Sequence, residues 1–271
     1  MTNLEHKLKQ KPKIWILNII IFIILMVLIV LSFNGAKINW TRLSMARYTF
    51  REMARQMVDI NFEFLIGYGG YKFSEGITFL ALETLAIGFV GTLLGAILAL
   101  PFGFLASKNI SGKVGSKIGE ILLVIIRVFP EIILGLILVK GFGMNAFTGV
   151  LVIGLHSIGM IGKLFSEMID NMDRSPIEAL DAVGASLLQK IRYAIIPQVA
   201  ADFSSVALYR LDINVRSATI LGVVGAGGLG TLITLAGMNS NWNVLGMIMI
   251  TIVITVVIVD YVSAKLREKL V

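Results

Sequence analysis

The chain has 271 residues, of which 56% are hydrophobic and only 15% are charged, and its formal net charge is +7. Soluble domains are typically about 45–50% apolar and about 25% charged, so this composition excludes an ordinary soluble protein. Several apolar runs are long enough to cross a hydrocarbon layer of roughly 30 Å at about 1.5 Å per residue. The chain contains no cysteine, which excludes disulfides and thiolate metal sites. We therefore predict an all-α integral membrane protein without a metal site.

The first apolar run extends from Ile14 to Phe33 and follows four lysines. A basic segment before an apolar one is typical of a secretory signal peptide. This run is long for the core of a signal peptide, however, and no clear small-residue cleavage site follows it. We predict a first transmembrane helix whose N-terminal end lies in the cytoplasm.

Residues 34–76 are more polar and would lie outside the cytoplasm. Arg47, Arg51 and Arg55 recur at every fourth position, which places them on one face of a helix. One interpretation is an amphipathic helix on the outer membrane surface. The other is a basic face that is simply solvated.

Five further spans are predicted after this segment. Their approximate bounds are residues 77–106, with a late interruption at Pro101, and residues 118–139, 147–165, 199–224 and 244–262. Alternating six spans from a cytoplasmic N-terminus places the basic loop 107–117, the segment 166–198 and the C-terminus inside, as the positive-inside rule favours. The segment 34–76 opposes this orientation because it is itself basic. We expect one membrane domain over 1–271, with its core at 77–262.

The polar segment from Ser175 to Pro197 stands out between the apolar runs. Ser175 can cap a helix, and Glu178 follows three residues later and can return the hydrogen bond. Gly184 accepts the left-handed backbone conformation at which helices often end. This pattern predicts a short helix at Ser175–Val183.

A second capping pattern follows at once. Ser186 and Gln189 repeat the spacing of a capping box, and Pro197 is expected to limit or kink the helix that starts there. The predicted second helix is Ser186–Ile196. Two short helices between membrane spans form a hairpin on the cytoplasmic side, which could dock a partner protein.

Ionisable residues at membrane depth are costly and are candidates for functional sites. The candidates in this chain fall into three groups: Arg127 with Glu131, Asp212 with Arg216 close to Arg210, and His156. The first two groups have the spacing of ion pairs on one helix face. One interpretation is that these pairs neutralise each other and lock the helices together.

The alternative interpretation is a path for an anion. It would be lined by Arg127, His156, Arg210 and Arg216, because the arginines outnumber the two carboxylates in these groups. Both interpretations remain open from the sequence.

No catalytic constellation is found in the sequence. Gly225, Gly227 and Gly230 fit the GxGxxG pattern, but they follow a membrane helix, and no acidic residue lies about twenty residues later. We expect these glycines to allow a turn or a close helix approach instead. A Walker-type phosphate loop and a Ser–His–Asp grouping are absent from the sequence. We predict no catalytic residue, no cofactor and no nucleic-acid partner.

The hairpin resembles the cytoplasmic EAA loop of ABC importer permeases. Glu178, Ala179, Gly184 and Pro197 stand at the spacing of that loop. The departures keep the apolar character: Leu180, Ala194 and Ile196. In that family the loop forms coupling helices that dock into the ATPase subunit.

A closer resemblance extends over most of residues 83–230. The matching segments are ETLAIGFVGTLLGAILALPFGFLASKN, RVFPE, GLHSIGMIGKLFSE, LYRLDINVRSATILG and VGAGGLG, and together they are similar to the permeases for phosphonate, phosphite or phosphate esters. LYRLDINVRSATILG is the most specific segment because it carries charges where generic permeases are apolar.

The resemblance implies a type I ABC importer permease in the bacterial cytoplasmic membrane. It would be a multi-pass, non-enzymatic subunit that moves a phosphorus oxyanion by alternating access. Its partners would be a second copy of itself, two ATPase subunits, an extracytoplasmic phosphonate-binding protein and the lipid bilayer. The alternatives are a permease for another small solute, as in methionine importers, and a stand-alone channel or secondary transporter.

Overall fold

The computed structural model describes residues 14–36, 40–67, 73 and 76–270. Over these ranges the regular elements are helices and no strand is present. The chain divides into two compact units, Met1–Met53 and Ala54–Val271, which are described separately. The predicted all-α fold is confirmed.

The first unit contains α1, Ile14–Gly35, and the beginning of α2, Trp40–Val58. Helix α1 is apolar on every side and most of its described side chains are exposed, as expected for a helix surrounded by lipid. This confirms the first predicted span, although the four lysines before it lie outside the described residues. Helix α2 confirms a helix within the polar segment, with Arg47, Arg51 and Arg55 exposed. Its position at the outer surface stays a prediction.

The second unit contains the remaining helices. They are α3 (Glu63–Ile66), α4 (Ile77–Ala106), α5 (Lys108–Val128), α6 (Glu131–Phe142), α7 (Ala146–Asn171), α8 (Ser175–Ala182), α9 (Leu187–Lys190), α10 (Ile196–Val223), α11 (Leu229–Met238) and α12 (Trp242–Glu268). By length and composition, α1, α4, α7 and α12 could each cross a membrane, and the bent pair α5–α6 could make a fifth span. The remaining predicted span corresponds to α10, which has 28 residues but carries four charges.

Helices α4, α7 and α10 form the centre of the second unit, and glycines bring them close together. A Cβ atom at Gly91 would lie 2.7 Å from Cγ2 of Ile153, and one at Gly88 would lie 2.7 Å from Cγ2 of Val215. Small residues at such positions let membrane helices approach closely. The polar residues of the three helices therefore meet inside the unit.

The third predicted span is wrong as a single helix. Helix α5 ends at Val128 and α6 begins at Glu131, with a bend of 78° between them. Pro130 causes the break, since it disfavours helical geometry at Phe129, which has an extended backbone (φ −70°, ψ 120°). The predicted loop at 107–117 is also wrong, because α5 starts at Lys108 and only Gly112 departs from helical geometry.

Two other expectations concern proline and glycine. Helix α4 has the predicted bounds but runs through Pro101 without a break, so the late interruption is wrong.

The glycine-rich segment turns the chain between α10 and α11, with positive φ at Gly225, Gly227 and Gly228. There a Cβ atom on Gly222 would lie 2.6 Å from Cα of Gly230. Both predicted roles of these glycines, turning and close approach, are confirmed.

Candidate functional site: a buried arginine cluster and a helical hairpin

The hairpin begins at α8, whose first turn is held by a residue before it. Oδ1 of Asp173 accepts hydrogen bonds from the backbone N–H of Ser175 at 3.0 Å and from its hydroxyl at 2.8 Å. These hydrogen bonds hold the pKa of the exposed Asp173 carboxyl below its ordinary value. The predicted pair of capping hydrogen bonds between Ser175 and Glu178 is wrong, because the hydroxyl of Ser175 donates to Asp173 instead.

The end of α8 is confirmed at Gly184. This residue has φ +74°, the left-handed conformation that favours glycine. The N–H of Ala185 donates to the carbonyl of Leu180 at 3.0 Å, and the N–H of Gly184 donates to the carbonyl of Asp181 at 3.0 Å. This pair of bonds is a Schellman motif, which satisfies carbonyls at the end of the helix.

The second arm starts as predicted but does not end as predicted. Oε1 of Gln189 accepts the N–H of Ser186 at 2.7 Å, which confirms the return bond of the second capping pattern. The helical chain then passes through a π-helical turn, Ile191–Ile195, into α10 and continues beyond Pro197. Because proline lacks an N–H and its ring crowds the preceding turn, the wider turn accommodates it. Of the two predicted effects of Pro197, the limit is wrong, and the π-helical turn before it is the local distortion that the helix shows instead.

Polar contacts hold the two arms of the hairpin to each other and to the start of α10. Lys190 forms an ion pair with Asp181 across the hairpin. Gln198 donates to the carbonyl of Asp173 at 3.2 Å, so the start of one arm is linked to the end of the other. At the tip, Val183 and Leu188 are each 78% exposed. An apolar tip on a braced hairpin is suited to contact with a protein partner.

At the centre of the unit, Arg210 on α10 is 4% exposed. Its Nη2 lies 3.0 Å from Nδ1 of His156, its Nε lies 3.5 Å from Oγ of Ser157, and its Nη1 lies 3.2 Å from Sδ of Met160. In the described part of the chain, no carboxylate forms an ion pair with it within 4.0 Å. A buried guanidinium without a direct ion pair is costly, so this arrangement favours an incoming anion.

The side-chain amide of Asn214 lies one turn after Arg210 on α10. It completes a polar cluster around Arg210, which we call the arginine cluster. Nδ2 of Asn214 donates to Oγ1 of Thr92 at 2.8 Å and to Oγ of Ser157 at 2.9 Å, joining α10 to α4 and α7. Sequence reasoning found Arg210 and His156 as ionisable residues but missed Asn214, Ser157 and Thr92. The spacing of four between Arg210 and Asn214 is the one signal that pointed to a shared face.

The predicted ion pairs have different outcomes. Arg216 and Asp212 form theirs on α10. The pair between Arg127 and Glu131 is not formed, because the helix breaks between them and Oε2 of Glu131 accepts the hydroxyl of Ser217 at 2.9 Å. Arg127 remains exposed in the single chain.

Solved structures with a similar fold are membrane transporters. The chain aligns with an inward-facing conformation of the MetNI methionine ABC transporter with a TM-score of 0.64, 22% identity and coverage of 72% of this chain and 96% of that one. It aligns with an amino acid ABC transporter crystallised with histidines with a TM-score of 0.56, 18% identity and coverage of 84% and 97%. The chain therefore shares the fold of these transporter chains.

Residues 99–267 match the family described as binding-protein-dependent transport system inner membrane component. The chain belongs to this family and is a multi-pass subunit of the cell membrane. Sequence relatives agree with this assignment. The phosphite transport system permease protein PtxC of Stutzerimonas stutzeri is 37% identical over 188 residues, which cover 69% of this chain and 68% of that protein.

Two other relatives carry related names. The phosphate-import permease protein PhnE of Mycolicibacterium smegmatis is 34% identical over 192 residues, which cover 70% of this chain and 36% of that protein. The putative cryptic phosphonate transport system permease protein PhnE2 of Escherichia coli is 38% identical over 114 residues, which cover 42% of this chain and 93% of that protein. The predicted resemblance to this group of permeases is confirmed.

Proposed function

We propose that this chain is the permease subunit of an ATP-driven importer for phosphite, phosphonate or a related phosphorus oxyanion. The observation that carries the proposal is Arg210, a buried cation whose hydrogen-bonding partners are Ser157, Met160 and His156, none of which is a carboxylate. The relatives named for phosphite, phosphate and phosphonate transport support the same class of ligand. Arg210 and His156 would contact the substrate, and Arg127 and Arg216 would contribute positive charge along the path.

The working assembly contains two copies of this chain, two ABC ATPase subunits and an extracytoplasmic phosphonate-binding protein. The hairpin formed by α8, α9 and the π-helical turn would dock into the ATPase, with Ser175, Glu178, Ala179, Gly184 and Pro197 as its coupling residues. ATP is hydrolysed in the partner subunit, and this chain contributes no catalytic residue and requires no cofactor. Closure of the ATPase dimer moves the docked hairpins, and the spans then alternate between inward and outward states.

The central test is Arg210→Gln. Glutamine keeps hydrogen-bonding capacity but removes the charge that an oxyanion requires, so we expect uptake of labelled methylphosphonate to fall at least about tenfold. Uptake is measured in cells that express the complete transporter, and the amount of permease in the membrane is measured in parallel. Arg267→Gln on the C-terminal turn of α12 serves as the control, with uptake at the wild-type level. Normal uptake by Arg210→Gln would contradict the proposal.

A methionine importer is the second candidate, because one relative is the probable D-methionine transport system permease protein MetI of Pasteurella multocida. That relative is 27% identical over 202 residues, below the identity of the phosphite and phosphonate relatives. Labelled methionine in the same uptake assay separates the two candidates.

A further inference from the structure

The buried arginine shares its face of α10 with acceptor atoms that lack donors. Oδ1 of Asn214 and Oε1 of Glu131 are buried, and no donor in the described ranges reaches either atom. Arg210, Asn214 and Ser217 follow each other at i, i+4 and i+7, which places them on one side of the helix. The hydroxyl of Ser217 donates to Oε2 of Glu131 at 2.9 Å, so Glu131 contacts the same side of α10.

Glu131 is held without a direct salt bridge. Its charge interacts electrostatically with Arg210 and His156, yet no ion pair to either forms within 4.0 Å among the described residues. Arg127 on α5 is separated from it by the break at Pro130. The face thus combines a cation that has no direct ion pair with two acceptor atoms that receive no hydrogen bond, among the described residues.

A ligand that satisfies this face brings both a negative charge and an O–H group. The second ionisation of a phosphorus oxyanion lies near neutrality, with a pKa of about 6 in phosphorylated side chains, so its monoanion retains one P–OH. Sulfates and sulfonates are tetrahedral anions of similar shape that lack this hydrogen. Against them, Oε1 of Glu131 and Oδ1 of Asn214 would face further acceptor oxygens.

We propose that Glu131 determines specificity for the monoprotonated phosphorus oxyanion by accepting the P–OH hydrogen at Oε1. Asn214 Oδ1 provides a second acceptor on the same face, and Arg210 holds the charged oxygens. This inference rests on the proposed function and adds to it a residue and a protonation state. A site built to accept a substrate hydroxyl rejects an analogue that lacks it, because its buried acceptor is then left unpaired.

The test compares two ions of the same charge and nearly the same shape, methylphosphonate and methanesulfonate. At about pH 5.5, below the second ionisation of the phosphonate, each carries one negative charge and only the former has an O–H. Binding is measured by titration calorimetry with the full-length permease in lipid nanodiscs. A single pH keeps the state of His156 the same for both ions. We expect the wild type to bind methylphosphonate at least about tenfold more tightly.

Two substitutions at the same position should reduce this preference in opposite ways. Glu131→Gln places an N–H donor where only an acceptor stood, so methanesulfonate should bind more tightly and the ratio should fall below about threefold. Glu131→Met removes the acceptor and should reduce the ratio by weakening methylphosphonate binding. Met also suits the membrane interior, so it tests the proposal if the glutamine variant does not fold. Glu83 on α4 is also half-buried. The substitution Glu83→Gln makes the same change from a carboxylate to a carboxamide and should keep the wild-type ratio.

Equal binding of the two ions by the wild type would overturn the proposal, as would an unchanged ratio in both Glu131 variants. Absence of binding by either ion, together with normal methylphosphonate uptake by cells, would overturn this site but leave the transport function intact. Absence of uptake of any phosphorus oxyanion by the wild-type transporter would instead overturn the proposed function itself.

Discussion

At the scale of single residues, the ion pair on α10 is strongly asymmetric. The side chain of Asp212 is 6% exposed, whereas that of Arg216 is 53% exposed. An arginine can keep its head in a more polar layer while its stem covers apolar surface, so it can serve a carboxylate that lies deeper. At about 100° per residue, Asp212 lies roughly 200° around the helix from Arg210, which places the pair on another face from the arginine cluster.

This asymmetry predicts the effect of Arg216→Ala. Removal of the arginine leaves a buried carboxylate unpaired, so we expect the free energy of unfolding to fall by about 1–3 kcal/mol, less than for a fully buried pair. Thermal unfolding in detergent, followed by tryptophan fluorescence, measures the loss. The double variant Asp212→Asn with Arg216→Ala should recover most of it. Wild-type stability of Arg216→Ala combined with lost uptake would contradict this stabilising role and would support only the proposed contribution of Arg216 to the substrate path.

The ionisable members of the site could be predicted from the sequence, because a charge at membrane depth is conspicuous. The neutral members could not. Thr92, Ser157 and Asn214 resemble the many small polar residues of membrane helices, and only their packing across α4, α7 and α10 joins them. The pairing of Glu131 was also unpredictable, since its partner Ser217 is 86 residues away in the chain.

At the scale of elements, the hairpin shows which local signals are decisive. Gly184 ends α8 because its own backbone conformation requires glycine, and this signal is contained in one residue. Pro197 does not end a helix, because the turn before it is π-helical and tertiary packing stabilises the helix beyond it. Val199, just beyond the proline, is 3% exposed and belongs to a core cluster with Phe165 and Ile195. Tertiary burial there outweighs the loss of one backbone hydrogen bond.

The turn at Gly184 gives a prediction for coupling. A Cβ atom at this position would have no other atom within 4 Å, so Gly184→Ala acts on the backbone alone. A left-handed conformation costs a non-glycine residue about 1–2 kcal/mol, so the second arm should reorient. We expect normal membrane insertion, but ATP hydrolysis by the assembled complex should no longer rise when the loaded binding protein is added.

Gly237→Ala is the matched control, because this glycine also has open space around it but lies within α11 and has no positive φ. Alanine is the better helix former, so coupling should be unchanged and stability equal or slightly higher. Normal stimulation of ATP hydrolysis in Gly184→Ala would show that the geometry of this turn is not required for docking.

At the scale of the whole molecule, the apolar runs predicted most of the helices because lipid requires long apolar segments with internally satisfied backbones. The bounds of α4 coincide with the prediction. The break between α5 and α6 was not predicted, since apolar runs extend on both sides of residues 127–131 and the pattern alone resembles one continuous span. Charge alone does not decide on which side of the membrane each connection lies, because the segment 34–76, which is predicted to lie outside, is also basic.

The absence of cysteine makes this orientation directly testable, since any introduced thiol is unique. Leu188→Cys at the hairpin tip and Met238→Cys at the end of α11 replace side chains that are 78% and 80% exposed. With a membrane-impermeant maleimide, we expect Met238→Cys to react in intact spheroplasts and Leu188→Cys only after permeabilisation. Assembly with the ATPase should then slow labelling of Leu188→Cys, because docking covers the tip, and leave Met238→Cys unchanged. Reaction of Leu188→Cys in intact spheroplasts would reverse the orientation, and equal labelling with and without the ATPase would remove the tip from the docking surface.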